Sequence, residues 1–382
     1  MRKFFKIIGA LALALVVIII VAKVWADKTY FNNYDPNLPF NVKVTSSEIK
    51  DETVEFFGIT RPIHFEKVLF SIDARPGEPI PVIMTMPVKR TERIPVIVFL
   101  HGIGQSKGFI EEICTPFNDA GFAMACFDQS MQGERKVQGK GLKKAWNTAV
   151  AFRKRPWKTI NDGRRLIDYL QTHPEIDPER IYLVGASYGA ITGTTLTAFD
   201  KRIRAAVLVV GGANIKTMLD APVIKDGIKN APLHWFAKQL VSWMMKPADP
   251  KNYAHLTAGT PVLMQNGSED NLVIPDAGKI LYETLGEPKE IRWYPCDHPG
   301  LRKTDAPIIV QILDEGRDWL VEQDKPFRTA EEMVLPPVLE TVPGQPAATP
   351  EATALPAEVI PESPEVNVEG ETESAAPTEE AA

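Results

Sequence analysis

The sequence predicts an α/β fold: a mostly parallel sheet of about eight strands with helices on both faces. Three observations carry that expectation. Short continuous apolar runs such as Ile94-Pro-Val-Ile-Val-Phe-Leu100 recur along the chain, as expected of strands covered on both faces. Segments with apolar residues at helical spacing alternate with them. Finally, Arg180-Ile-Tyr-Leu-Val-Gly-Ala-Ser-Tyr-Gly-Ala190 runs from an apolar strand directly into a helix-like segment through Gly185, Ser187 and Gly189.

The chain has 382 residues and a formal net charge of −6. That total hides an asymmetry, because from Arg328 onward about a dozen glutamates face one arginine. The remainder is mildly basic, which gives no general case for nucleic-acid binding. Cys114, Cys126 and Cys296 show neither metal-ligand spacing nor a disulfide framework, and an odd number leaves at least one free thiol. No spacing calls for a metal or a cofactor.

At the N-terminus, Arg2, Lys3 and Lys6 precede an uninterrupted apolar run from Ile7 to Ala22, followed by Lys23-Val-Trp-Ala26. As a helix this run is about 24 Å long, short of a hydrocarbon core of about 30 Å. A snorkelling Lys23 and an interfacial Trp25 would let it span. The expectation for residues 1–26 is therefore an uncleaved membrane anchor, with a secretory signal cleaved near Ala26 as the alternative. In both cases the basic end stays in the cytoplasm and the rest is delivered across the membrane. Residues 27–51 are polar, with Asn-, Asp- and Pro-containing turns, and read as a spacer.

From there the main α/β domain is expected over residues 52–327. His64–Ile72 and Ile80–Met86 read as an antiparallel opening hairpin, and Ile94–Leu100 as a central strand. A helix over Phe109–Ala120 ends at Gly121, and Phe122–Phe127 is the next buried strand. Between Glu134 and Lys158 positive charge is dense. A solvated face is the plain reading, and contact with anionic lipid head groups or with the acidic tail is the other. Trp157–Leu170 has a helical apolar face, and Ile203–Val210 is a strand beyond the turn at Gly185, Ser187 and Gly189. Residues 211–260 exceed a minimal connection and contain Phe236, Leu240, Trp243 and Met244 at helical spacing. This reads as a small helical lid between the sixth and seventh strands, with Trp235, Phe236 and Trp243 as candidate pocket residues. Pro261–Gln265 and Lys289–Tyr294 are the last strands, Ile274–Leu285 lies between them as a helix, and Ala306–Leu320 closes the fold. Residues 328–382, rich in Pro, Ala and Glu, read as a disordered tail.

The Gly185-x-Ser187-x-Gly189 turn is the nucleophile-elbow pattern. Its sharpness leaves no room for side chains two residues either side of the serine. It resembles the α/β-hydrolase superfamily, and within it dienelactone hydrolases, acetyl xylan esterases and prolyl-oligopeptidase catalytic domains. The resemblance covers about residues 60–325. Peptidase relatives often carry a second glycine after the elbow, and this chain has Ala190 there.

The resemblance implies a serine, acid, histidine triad in the order Ser187, Asp270, His298, each on a loop after a strand. Glu269 is the rival acid and Asp276 a weaker third. It also implies that His101-Gly102-Ile103-Gly104 is the oxyanion loop, with the N–H groups of Ile103 and Tyr188 as donors and His101 holding the loop. His173, His234 and His255 are read as non-catalytic. The expected activity is that of an extracytoplasmic serine carboxylesterase acting on a small-molecule or envelope-derived ester. The alternatives are a serine peptidase resembling the prolyl-oligopeptidase catalytic domain, and a catalytically silent binding module of the envelope.

Overall fold

The computed structural model describes residues 2–90 and 93–328, with only the backbone described at residues 2–12, 15 and 16. The predicted tail lies outside the described residues, apart from Arg328. In chain order the elements begin with α1 (Arg2–Lys28), β1 (Lys43–Phe56), β2 (Ile59–Arg75), β3 (Glu78–Met86) and β4 (Ile94–Leu100). The short helices α2 (Ile110–Ile113) and α3 (Thr115–Asp119) lead to β5 (Ala123–Phe127), α4 (Gly141–Leu170), β6 (Ile176–Ala186), α5 (Tyr188–Phe199) and β7 (Ile203–Val209). Then come α6 (Ile215–Met218), α7 (Pro222–Gly227), α8 (Ala231–Met245), β8 (Val262–Gly267), α9 (Pro275–Thr284), β9 (Lys289–Tyr294) and α10 (Ala306–Asp324).

The nine strands form one sheet in the order β1-β2-β3-β5-β4-β6-β7-β8-β9. β1, β2 and β3 pair antiparallel, β3 joins β5 antiparallel, and β5 through β9 are mutually parallel. Alternation along β4 divides the core. Val96, Val98 and Leu100 pack with Leu166, Ile167 and Leu196 from α4 and α5, while Ile97 and Phe99 pack with Phe117, Ile309 and Leu320 from α3 and α10. A strand covered on both sides must be apolar at every position, which is why β4 reads as an unbroken run.

Several expectations change. The sheet has nine strands because β1, which begins at Lys43 in the stretch read as a spacer, pairs along β2. Its residues are mostly exposed, so it carries little apolar signal. The rest of that stretch also rests on the body. Tyr30 is buried, Tyr34 Oη donates to Asp168, and fully buried Arg165 donates to the carbonyl oxygens of Pro36 and Leu38. The helix expected over 109–120 is two short helices with Pro116 at the start of the second. The helix expected from Trp157 starts sixteen residues earlier, at Gly141. The helical insertion therefore lies between the seventh and eighth strands rather than between the sixth and seventh.

The apolar run at the N-terminus is helical as part of α1, yet among the described residues no helix is long and apolar enough to cross a membrane. The spanning anchor expected over residues 1–26 thus finds no support in the structure. The end of α1 is tied to the body: Arg153 pairs with Asp27 at 2.9 Å, and the Lys23 ammonium, which also pairs with Asp27, lies 4.8 Å from the centre of the Trp243 ring.

Candidate active site

The polypeptide turns from β6 into α5 at Ser187, whose φ of 56° and ψ of −119° are a strained conformation for a residue with a Cβ. The crossing is tight enough that a Cβ on Gly189 would lie 1.8 Å from the Leu100 carbonyl oxygen, and one on Gly185 2.4 Å from that of Gly189. Glycine is required at both positions for space. The Ser187 N–H donates to the Val209 carbonyl at 2.9 Å, so β7 holds the turn from the far side.

The loops after β8 and β9 bring two more side chains to this point. His298 Nε2 lies 2.9 Å from Ser187 Oγ, and His298 Nδ1 lies 2.8 Å from Asp270 Oδ2. With Asp270 ionised, Nδ1–H donates to the carboxylate and Nε2 is left to accept the serine proton. The other oxygen of Asp270 accepts the N–H groups of Leu272 at 2.8 Å and Val273 at 2.7 Å, which fixes the carboxylate. Asp270 and His298 are 3% and 7% exposed. The rival acids point elsewhere: Glu269 pairs with Arg302 at the surface, and exposed Asp276 sits 3.5 Å from Lys279.

Asp297 was not singled out from the sequence, and it joins the two loops. It accepts the N–H of His298 at 2.6 Å and that of Asn271 at 2.9 Å, and Asn271 Nδ2 reaches its second oxygen at 3.0 Å. Burial acts to raise its pKa, but these hydrogen bonds and nearby Arg302 outweigh burial and hold the carboxyl below the usual aspartate range. Burial pushes the Cys296 thiol up to about 11, so this neighbour is no competing thiolate.

On the loop expected to receive the oxyanion, His101 is fully buried and its Nδ1 lies 2.9 Å from the Gly102 carbonyl oxygen. Burial lowers its pKa, as fits a neutral ring bracing the loop. Two glutamines invisible to motif reading complete the brace: Gln129 Nε2 donates to the His101 carbonyl at 2.7 Å and Gln132 Nε2 to that of Gly102 at 3.0 Å. Their only sequence signal is position, in the loop at the carboxyl end of β5. That loop is held by Asp128, which accepts Lys107 N and Nζ, each at 2.9 Å. The Gly102 N–H is taken by Gln105 Oε1 at 2.9 Å. The N–H groups of Ile103 and Tyr188 have no protein acceptor among the described residues, which leaves both for a ligand oxygen. Behind Tyr188, the guanidinium carbon of buried Arg155 lies 4.2 Å from its ring centre, a cation–π contact that steadies the first residue of α5.

The candidate pocket residues Trp235, Phe236 and Trp243 are largely exposed on α8, so the structure places them at the surface rather than enclosed around Ser187. Of the three histidines read as non-catalytic, His173, His234 and His255, His234 contacts the Leu219 carbonyl and none lies with Ser187, Asp270 and His298. Among the described residues no group of His, Cys, Asp and Glu could hold a metal.

Comparison with known proteins agrees with this architecture. A protein of Schizosaccharomyces pombe named as a monoglyceride lipase is 31% identical over 70 residues, and the match spans 18% of this chain and only 18% of that relative. A polyketide transferase of Aspergillus fumigatus is 22% identical over 244 residues, covering 52% of this chain and 80% of that protein. The crystal structure of acetyl xylan esterase 1 from Thermoanaerobacterium sp. JW/SL YS485 superposes with a TM-score of 0.56 at 19% identity, covering 76% of this chain and 93% of that one. The prolyl oligopeptidase family matches residues 134–305 and the acetyl xylan esterase family residues 39–211. The two matches overlap across the elbow and together span the sheet from β1 to β9, and the fold they share with this chain is that of the α/β-hydrolases.

Proposed function

We propose that this protein is an extracytoplasmic serine carboxylesterase working through an acyl-enzyme on Ser187. The observation that carries the reading is the continuous hydrogen-bonded line from Ser187 Oγ through His298 to Asp270. In the first step the Ser187 proton passes to His298 Nε2 as Oγ attacks the ester carbonyl carbon. The oxygen that becomes negative is received by the N–H groups of Ile103 and Tyr188, and Asp270 stabilises the imidazolium. Collapse expels the alcohol, which takes the proton from His298. Water, deprotonated in turn by His298, then releases the acid and restores Ser187. The matches to acetyl xylan esterases support an ester as the bond cleaved. Delivery out of the cytoplasm is supported by the basic residues ahead of the apolar run in α1.

A peptidase is the second reading, favoured by the prolyl oligopeptidase match over 134–305. A chromogenic ester panel of increasing acyl length, run beside peptide anilides on wild type and Ser187→Ala, separates the two. Turnover of esters alone, lost in the variant, with a phosphonate adduct on Ser187, is the expected result. Anilide turnover exceeding ester turnover makes it a peptidase. Fractionation together with the intact mass of the native protein tests the location, and activity recovered only from the cytoplasm removes that part of the reading.

A further inference from the structure

The triad does not account for where this chain keeps its exposed aromatic residues. The first half of α4 exposes Leu142 at 91% and Trp146 at 72%, together with Phe152, while α8 exposes Trp235, Phe236 and Trp243. Single exposed apolar residues are ordinary, but a gathered set of large ones marks a contact surface. The two helices meet at a fixed junction. The Arg153 guanidinium donates to the Met244 carbonyl, and Trp157 packs in one cluster with Met244, Met245 and Tyr30. The end of α1 reaches the same junction through Asp27 on Arg153 and Lys23 on Trp243.

Charge then selects the occupant. No acidic residue occurs between Glu134 and Asp162 or between Asp226 and Asp249. Lys140, Lys143, Lys144 and Lys154 are exposed, and none is in an ion pair among the described residues. A second copy of the chain would set lysines against lysines. The acidic C-terminal segment beyond Phe327 supplies carboxylates but has no aromatic residue to cover the apolar side chains. Anionic lipid supplies both halves, since head groups pair with lysines while Trp, Phe and Leu enter the acyl boundary.

We propose that the first half of α4 and the whole of α8 form a docking surface for an anionic bilayer, with both helices lying on the membrane rather than crossing it. The proposal is independent of the chemistry assigned to Ser187. It places the insertion between β7 and β8 at the lipid surface, where esters carried by the membrane are concentrated.

Hydrogen exchange on the full chain tests it, using Ser187→Ala so that the lipids are not turned over. Vesicles of phosphatidylglycerol mixed with phosphatidylcholine should slow exchange over 141–152 and 231–244 at low salt. Pure phosphatidylcholine or high salt should do so much less. Trp146→Glu combined with Trp235→Glu should lower vesicle partitioning by about tenfold or more. If that variant does not fold, the exchange pattern of the parent chain decides alone. Slowed exchange confined to residues 2–26 would overturn the proposal. So would protection seen without vesicles, whether it disappears on deleting 336–382, which assigns the surface to the acidic segment, or rises with protein concentration, which assigns it to a second copy.

Discussion

At the carboxyl edge of the sheet, Ser187, His298 and Asp270 stand where the chain leaves β6, β9 and β8, and their functional polar atoms meet partners within 3 Å. On the α4 and α8 surface, Trp146, Trp235 and Phe236 stand largely exposed while the backbone beneath them is regular helix. The first region is over-determined from inside the molecule. Strand ends, glycines and second loops each fix one atom, the placement that the proposed acyl transfer would need. The second is under-determined from inside, so its side chains answer to something beyond the chain. A change should therefore cost activity by orders of magnitude in one region and little stability in the other.

The largest break is expected at the nucleophile. Ser187→Ala and His298→Ala should each lower kcat by on the order of 10⁴-fold or more with the fold retained. Undiminished ester turnover by Ser187→Ala, in protein free of contaminating esterases, would remove the catalytic edge from the comparison altogether. Next, Asp270→Asn should cost roughly two to four decades in kcat and Glu269→Gln little. The reverse order would reassign the acid to the residue that pairs with Arg302.

Asp297→Ala cuts the tie between the acid loop and the histidine loop, and should cost about 1–3 kcal/mol in denaturant stability and lower kcat more than it raises KM. Because the folded pKa of Asp297 is depressed, its contribution is present above the ordinary aspartate value of about 3.9 and is lost as pH falls through its folded value. The variant should thus lose less stability on acidification than wild type, and identical acid limbs would assign Asp297 no such part. His101 has the opposite chemistry with the same sign. Burial lowers its folded pKa, so below about pH 6.5 the unfolded chain takes up a proton that the folded chain does not, and stability declines. His101→Asn should flatten that decline in denaturation series between pH 7.5 and 5.5. The smallest effect belongs to the outer face: Trp146→Ser should change stability by no more than about 0.5 kcal/mol, read as an unchanged melting temperature. A larger loss would mean that the face is packed in the free protein.

The sequence by itself determined the parallel sheet, the elbow and the order of the triad. A strand buried on both sides must be apolar throughout, and a turn as sharp as that at Ser187 must have glycine at 185 and 189, so both write themselves into residue types. Tertiary structure alone decided what depends on pairing between distant residues. β1 is mostly exposed and is a strand because β2 pairs with it. The first half of α4 is helix without a buried apolar stripe, so periodicity located only the half beginning at Trp157. Asp297, Gln129 and Gln132 act on backbone groups, for which any residue supplies the partner and no motif is required. The resemblance pointed to Asp270 over its rival Glu269, but the reason shows only in the fold, because adjacent residues on one loop point in different directions and only the position of His298 selects one of them.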